Sequence, residues 1–211
     1  MKKRAAFLIC TGVLLLAASV SLVVNNQLES AKAAKSAEEL AQAFLSRSIV
    51  YEAPLTEQMS GLAPGEGGSG VTLEQTPAKK FTIIDGQEYI GMLSIPSLSV
   101  NLPVNNDISY LLLKATPCRY YGSVDEGSLI IAAHNYDSHF GKIGSLKYGD
   151  KVNLSDANGF SDTYSVSEVQ ILPGSAIEGM LNPEGWDLTL FTCNYSGTER
   201  VTVRCVKEDR L

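Results

Sequence analysis

The chain has 211 residues, room for one domain and an appendage. Its formal net charge of -6 argues against a nucleic-acid partner, which would need a basic face to bind phosphate. Four cysteines without a C-x-x-C pair, and two histidines, give no zinc-ligand spacing; neither a metal nor a cofactor is expected.

Residues 1–4, Met1-Lys2-Lys3-Arg4, form a basic tail. Residues 5–24 follow without a charge, long enough to cross a bilayer as a helix. A cleaved signal peptide has a shorter apolar core of about 7–15 residues. The small-x-small site Ala31-Lys32-Ala33 also lies well past the apolar end. The stretch therefore reads as a single-pass signal anchor. Positive charge before it places the N-terminus in the cytoplasm and the rest of the chain outside the cell membrane. Cys10 is then a residue of the span.

Residues 25–79 read as an extracellular helix and a linker. Ala37, Leu40, Ala41, Phe44, Leu45 and Ser48 recur at helical spacing within 28–50, a juxtamembrane helix that packs on the domain or sets its height; the pattern lasts too few heptads for a dimerising coiled coil. Pro54, Gly61, Pro64, Gly65, Gly67, Gly68 and Gly70 then mark a flexible linker. The folded domain is expected at 80–211.

Short apolar or alternating runs predict strands at 91–95, 102–104, 128–133, 151–155, 163–172, 187–192 and 200–207. Turn residues such as Asp85-Gly86, Pro96, Asn105-Asn106 and Gly149-Asp150 separate them. Asn158-Gly159 resembles a hairpin turn, but its flanking runs do not sit at a tight two-residue distance, so a longer loop fits equally well. Short helices are expected at 108–115 and 140–146. Such spacing predicts an all-β sandwich or barrel. In the last strand, parity puts Arg200, Thr202 and Arg204 on a polar or groove-facing side, and Val201, Val203 and Cys205 toward the core. Cys205 reads as a small buried hydrophobe, with no disulfide to Cys193. Cys118, after Pro117, reads as a semi-buried thiol in a loop.

Three chemical groups stand at or beside predicted strand ends. Cys193 closes Thr189-Leu190-Phe191-Thr192-Cys193, His134 follows Leu129-Ile130-Ile131-Ala132-Ala133, and Arg200 opens Arg200-Val201-Thr202-Val203. Thiolate, imidazole and guanidinium together suit nucleophilic acyl transfer: attack, proton transfer, charge stabilisation. Pairing of the last two strands as a hairpin would bring Arg200 close to Cys193. His139 competes with His134, but only His134 directly ends a buried strand, which would fix its ring. Arg204 lies four residues farther along, so Arg200 is the better charge partner.

With these residues in place, the stretch from Phe81 to Lys207 resembles a sortase, a Gram-positive cysteine transpeptidase. Thr189-Leu190-Phe191-Thr192-Cys193 matches the family's Thr-Leu-x-Thr-Cys signature, and the runs ending in His134 and opening at Arg200 match its His- and Arg-bearing strands. Phe140 through Gly149-Asp150, and Ile90 through Val104, are similar to its helix and opening strands. The resemblance implies a closed eight-stranded β-barrel with short helices. It also implies that Cys193, His134 and Arg200 are catalytic and that Thr192 contacts substrate. The implied partners are an Leu-Pro-x-Thr-Gly-like sorting signal and a cell-wall precursor amine, or a pilin lysine in polymerising members.

Several features depart from the family pattern. Ala133 stands where many members have Gly, adding a methyl that would narrow the groove. The connection after the 163–172 strand, Gly174 to Met180, is short in the region that shapes sorting-signal choice. Residues 54–70 lack the Asp-Pro-aromatic lid motif of pilin-building members. No carboxylate cluster for calcium is evident. Two other functions remain open at this level: a hydrolytic cysteine peptidase, and a non-catalytic membrane-tethered binding barrel in which Cys193 is buried and inert.

Overall fold

The computed structural model describes residues 2–50, 81–156, 160–182 and 185–210. The 54–70 stretch and the Asn158-Gly159 turn lie outside the described residues. One helix, α1 (Lys2–Val50), precedes nine strands. The strands are β1 (Thr82–Ile84), β2 (Gln87–Ile95), β3 (Val100–Asn105), β4 (Cys118–Tyr121), β5 (Leu129–Ala132), β6 (Lys151–Ser155), β7 (Ser161–Pro173), β8 (Leu188–Cys193) and β9 (Glu199–Lys207). Two short helices join them, α2 (Tyr110–Ala115) and α3 (Ile177–Leu181).

Strands β2 to β9 close into an eight-stranded ring in the order β2-β3-β4-β5-β8-β9-β7-β6, and β6 pairs back onto β2. Strand β1 lies outside the ring as a short hairpin partner of β2. Two contacts, β3–β4 and β5–β8, are parallel; the other pairings are antiparallel. Closure leaves the ring without a free edge.

Alternation fills the interior. Val152 and Leu154 of β6, Leu188 and Leu190 of β8, and Val203 and Cys205 of β9 point inward with Leu93, Val104 and Ile131. Each fully buried aliphatic side chain contributes about 1.5–3 kcal/mol. The β5 run Leu129-Ile130-Ile131-Ala132 is buried on both faces, which is why it reads as continuously apolar.

The predicted anchor and juxtamembrane helices run as one. No glycine or proline interrupts the chain between Gly12 and Pro54, so nothing breaks the helix where its composition changes. Ile9 to Val24 is exposed throughout, and the helix is long and apolar enough to cross a membrane. Its C-terminal half packs on the barrel through Ala37, Leu40, Ala41 and Phe44, one of the two roles their spacing suggests. Ala37 joins the barrel cluster, and Phe44 packs with Ile84, Tyr89 and Met92. Leu45, expected on the same face, is exposed.

Other expectations are corrected. Cys118 is not in a loop: it opens β4, is fully buried, and burial pushes its thiol up to about 12. Arg204 does share a face with Arg200, yet it is 2% exposed because the β7–β8 connection folds over it. The helix expected at 140–146 is a turn followed by a 3-10 segment, Ile143–Ser145. Cys205 is buried as expected, and Cys118, Cys193 and Cys205 are all free thiols.

Candidate functional site

Strands β8 and β9 form an antiparallel hairpin whose last rung pairs Cys193 with Arg200. Directly opposed residues place their Cβ atoms about 4.5–5.5 Å apart on one face. The connecting turn is held by Asn194 N–H donating to the Glu199 carbonyl at 3.0 Å, with Gly197 at φ 75°. Arg200 Nη1 donates to the Gly197 and Glu199 carbonyls at 3.0 and 3.1 Å, so the turn that brings the strands together also orients the guanidinium. Gly174, just past β7, closes over this turn. A Cβ there would lie 2.9 Å from the Thr198 carbonyl oxygen and 3.3 Å from Arg200 Nη1.

His134 arrives on the neighbouring strand. Strand β5 runs parallel to β8, with Ala132 beside Phe191 and Ala133 N–H donating to the Phe191 carbonyl at 3.2 Å. Beyond it, Phe140 N–H returns to the His134 carbonyl at 3.1 Å and closes a compact loop. Gly141 lets that loop close, since a Cβ there would lie 2.7 Å from the Asn135 carbonyl oxygen. The His134 ring meets the Tyr110 ring edge-on at 5.7 Å and the Tyr136 ring at 5.0 Å. Burial holds its pKa below the usual imidazole value; Lys114 adds to the depression and Glu29 opposes it.

His139 is placed differently. It is fully buried, and burial together with neighbouring His134 depresses its pKa to about 4. Thr192 also lies away from the groove. It points opposite to Cys193, is buried, and its hydroxyl donates to the Ala133 carbonyl at 2.8 Å. This geometry ties the Cys193 strand to the residue before His134; it does not present Thr192 to a ligand.

Cys193, His134 and Arg200 line one groove of about 350 Å3 on the outer wall of the barrel. Its walls are largely apolar: Ile108 and Leu113 on one side, Ile177 and Met180 on the other, with Tyr120, Ala132 and Phe191 between them. Tyr120 and Phe191 stack edge-to-face at 5.2 Å. Ala133 lines the groove and also packs into the barrel cluster. A second cavity of about 390 Å3, lined by Phe81, Phe160 and Asp125 among others, carries neither cysteine nor histidine.

Two contributors to this groove were not visible in the sequence. Helix α3 forms one wall, within a connection that carries no strong helical periodicity. Arg204 pins it, donating from Nη1 to the Met180 carbonyl at 3.2 Å and to Thr189 Oγ1 at 2.8 Å, and from Nη2 to the Gly179 carbonyl. The only sequence signal was parity: Arg204 sits on the groove-facing side of β9.

A partly buried thiol that lines the groove, an imidazole and a cation can together carry out acyl transfer on a peptide. A family model of the sortase domain matches residues 93–208, which includes all three. The chain belongs to the sortase family. It is 32% identical over 115 residues to sortase A of Bacillus anthracis, covering 52% of this chain and 54% of that protein. The chain thus spans about half the length of the curated relative it matches. Sortase A from Corynebacterium diphtheriae has the same fold, with a TM-score of 0.51 at 19% identity over 57% of this chain and 61% of the other. Sortase C1 from Streptococcus agalactiae superposes with a TM-score of 0.50 at 25% identity, covering 59% and 70%. Class A and class C sortases both stand among the neighbours of this sortase fold.

Proposed function

We propose that this sortase is a membrane-anchored cysteine transpeptidase acting on Leu-Pro-x-Thr-Gly-like sorting signals. The Cys193 thiolate attacks the carbonyl carbon of the Thr–Gly bond and forms a C–S bond. Arg200 stabilises the charge that develops on the carbonyl oxygen. The C–N bond then breaks, and the His134 imidazolium gives its proton to the departing glycine amine. A thioester remains on Cys193. An incoming amine, from a cell-wall precursor or a pilin lysine, attacks it and loses its proton to His134, and the thiolate is released.

The observation that carries this reading is the rung pairing Cys193 with Arg200 in the groove that also holds His134. Cys193 is only partly buried and lines the groove, which speaks against an inert binding barrel. The domain plan follows: residues 1–4 in the cytoplasm, 5–24 across the membrane, 25–79 outside it, and 80–211 as the catalytic barrel. The test is cleavage of a sorting-peptide library with and without a primary amine. Ligated product that disappears in Cys193→Ala supports transpeptidation. Free acid alone, at every amine concentration, would make the protein a peptidase.

A further inference from the structure

Helix α1 does more than reach a membrane. Glu29 stands five residues beyond Val24, about 7.5 Å past the apolar run at helical rise. Its carboxylate meets two groups of the barrel. Lys114 Nζ of α2 donates to Oε2 at 3.2 Å and to Oε1 at 3.4 Å, and Tyr136 Oη donates to Oε2 at 3.3 Å. Both partners flank His134. Tyr136 lies 5.0 Å from the imidazole, and Lys114 stands over the Tyr110 ring at 5.2 Å, the same ring that meets His134 edge-on. The imidazole is therefore held between two tyrosines, one bonded to Glu29 and the other covered by the cation that Glu29 neutralises.

We infer that Glu29, on the anchor helix, is a positioning residue for His134. It acts through Tyr136, whose ring it orients, and through Lys114, whose charge it balances beside the imidazole. The inference deepens the transpeptidase reading and rests on His134 as the proton carrier. The charged and titratable groups around His134 are Glu29 of α1, Lys114 and Tyr110 of α2, Tyr136 and His139 of its own loop, and Cys193 and Arg200 across the groove. Of these, Lys114 disfavours the imidazolium and Glu29 favours it. A carboxylate that merely made a surface ion pair would move stability a little and leave the titration of His134 where it was.

The test uses the full chain in detergent micelles. The imidazole titration is followed by NMR, simplified by a chain with only two histidines, beside the pH–rate profile for sorting-peptide cleavage. Glu29→Gln leaves Lys114 unbalanced, so His134 titrates at lower pH. Because the step needs imidazolium, the limb at which rate is lost on raising pH moves to lower pH as well. Lys114→Met moves both in the opposite direction, and the double variant returns them toward wild type. Titrations of His134 that coincide in all four proteins would overturn the inference, whatever happens to rate or stability. A shifted titration in a protein that forms no Cys193 thioester would instead uphold the coupling and remove the transpeptidase reading.

Discussion

Cys193 and Arg200 face each other across the final rung of the β8–β9 ladder, so one hairpin carries both the sulfur and the guanidinium. Their separation is set by backbone pairing and not by a flexible loop. On the proposed mechanism Cys193→Ala abolishes turnover with the melting temperature retained. Arg200→Ala retains the thiol and lowers thioester formation by about 10²–10³. Arg200→Lys recovers only part of that loss, because an ammonium lacks the planar fork. Single-turnover trapping of the acyl-enzyme, read by mass spectrometry, checks all three.

Gly174 is the close approach that lets the Arg200 turn seat. Gly174→Ala puts a methyl 2.9 Å from the Thr198 carbonyl oxygen, a backbone atom that must give way. A displacement of a few tenths of an ångström to about 1 Å can cost up to about 10²-fold in rate. The expected result is a folded protein with reduced kcat, and it is read from steady-state kinetics beside circular dichroism.

Arg204 holds the α3 wall through the Met180 and Gly179 carbonyls. Arg204→Met leaves the Met180 carbonyl and Thr189 Oγ1, whose bonds to it are buried, without the guanidinium, at about 1–3 kcal/mol for each group left unsatisfied. The α3 wall of the proposed peptide groove loosens at the same time. The expected outcome is a lower Tm, a raised KM for the preferred peptide, and flatter discrimination across a peptide library.

His139 gives a stability–pH relationship. Its folded pKa is depressed to about 4 from an ordinary 6.5. Between those values the unfolded chain binds a proton that the folded chain does not, so stability rises with pH there. The contribution is fully present above about pH 6.5 and is lost as pH falls toward 4. The slope from this one group reaches at most about 1.4 kcal/mol per pH unit. Urea melts at pH 7, 6, 5 and 4 give the slope, and His139→Phe should flatten it.

Phe44 ties α1 to the barrel over Ile84, Tyr89 and Met92. Phe44→Ala costs about 3 kcal/mol, in the range for a buried phenylalanine. A domain begun at Lys80 exposes the same apolar patch. It should bind a hydrophobic dye and melt below the longer chain, which differential scanning fluorimetry measures.

Much of the site was legible because β-strand parity is a local rule. Once the Arg200 run and the Cys193 run read as strands with a turn between them, their facing followed. The choice of His134 over His139 also followed from which residue ends a buried run. Strand β6 was placed with its observed bounds, since alternation and Gly149-Asp150 delimit it. Strands β1 and β4 were missed. One has three residues, and the other begins directly after Pro117, where a turn signal masks it. The burial of Arg204 was illegible because parity gives a face and not what covers it. The Glu29–Tyr136 contact joins residues 107 positions apart, and no local pattern encodes such a meeting.

The unbroken course of α1 has a mechanical consequence. From Asn26 to Val50 it rises about 36 Å without a swivel point, and Ala33, Ala37 and Phe44 clamp the barrel along that post. Where its apolar portion is embedded in a bilayer, the thiol keeps a set distance along the helix axis from the lipid. Spinning about the post, tilting with it and drifting sideways remain its main freedoms. On the proposed function, encounter with a substrate polypeptide held in the same membrane is then a search over a plane and not through a volume.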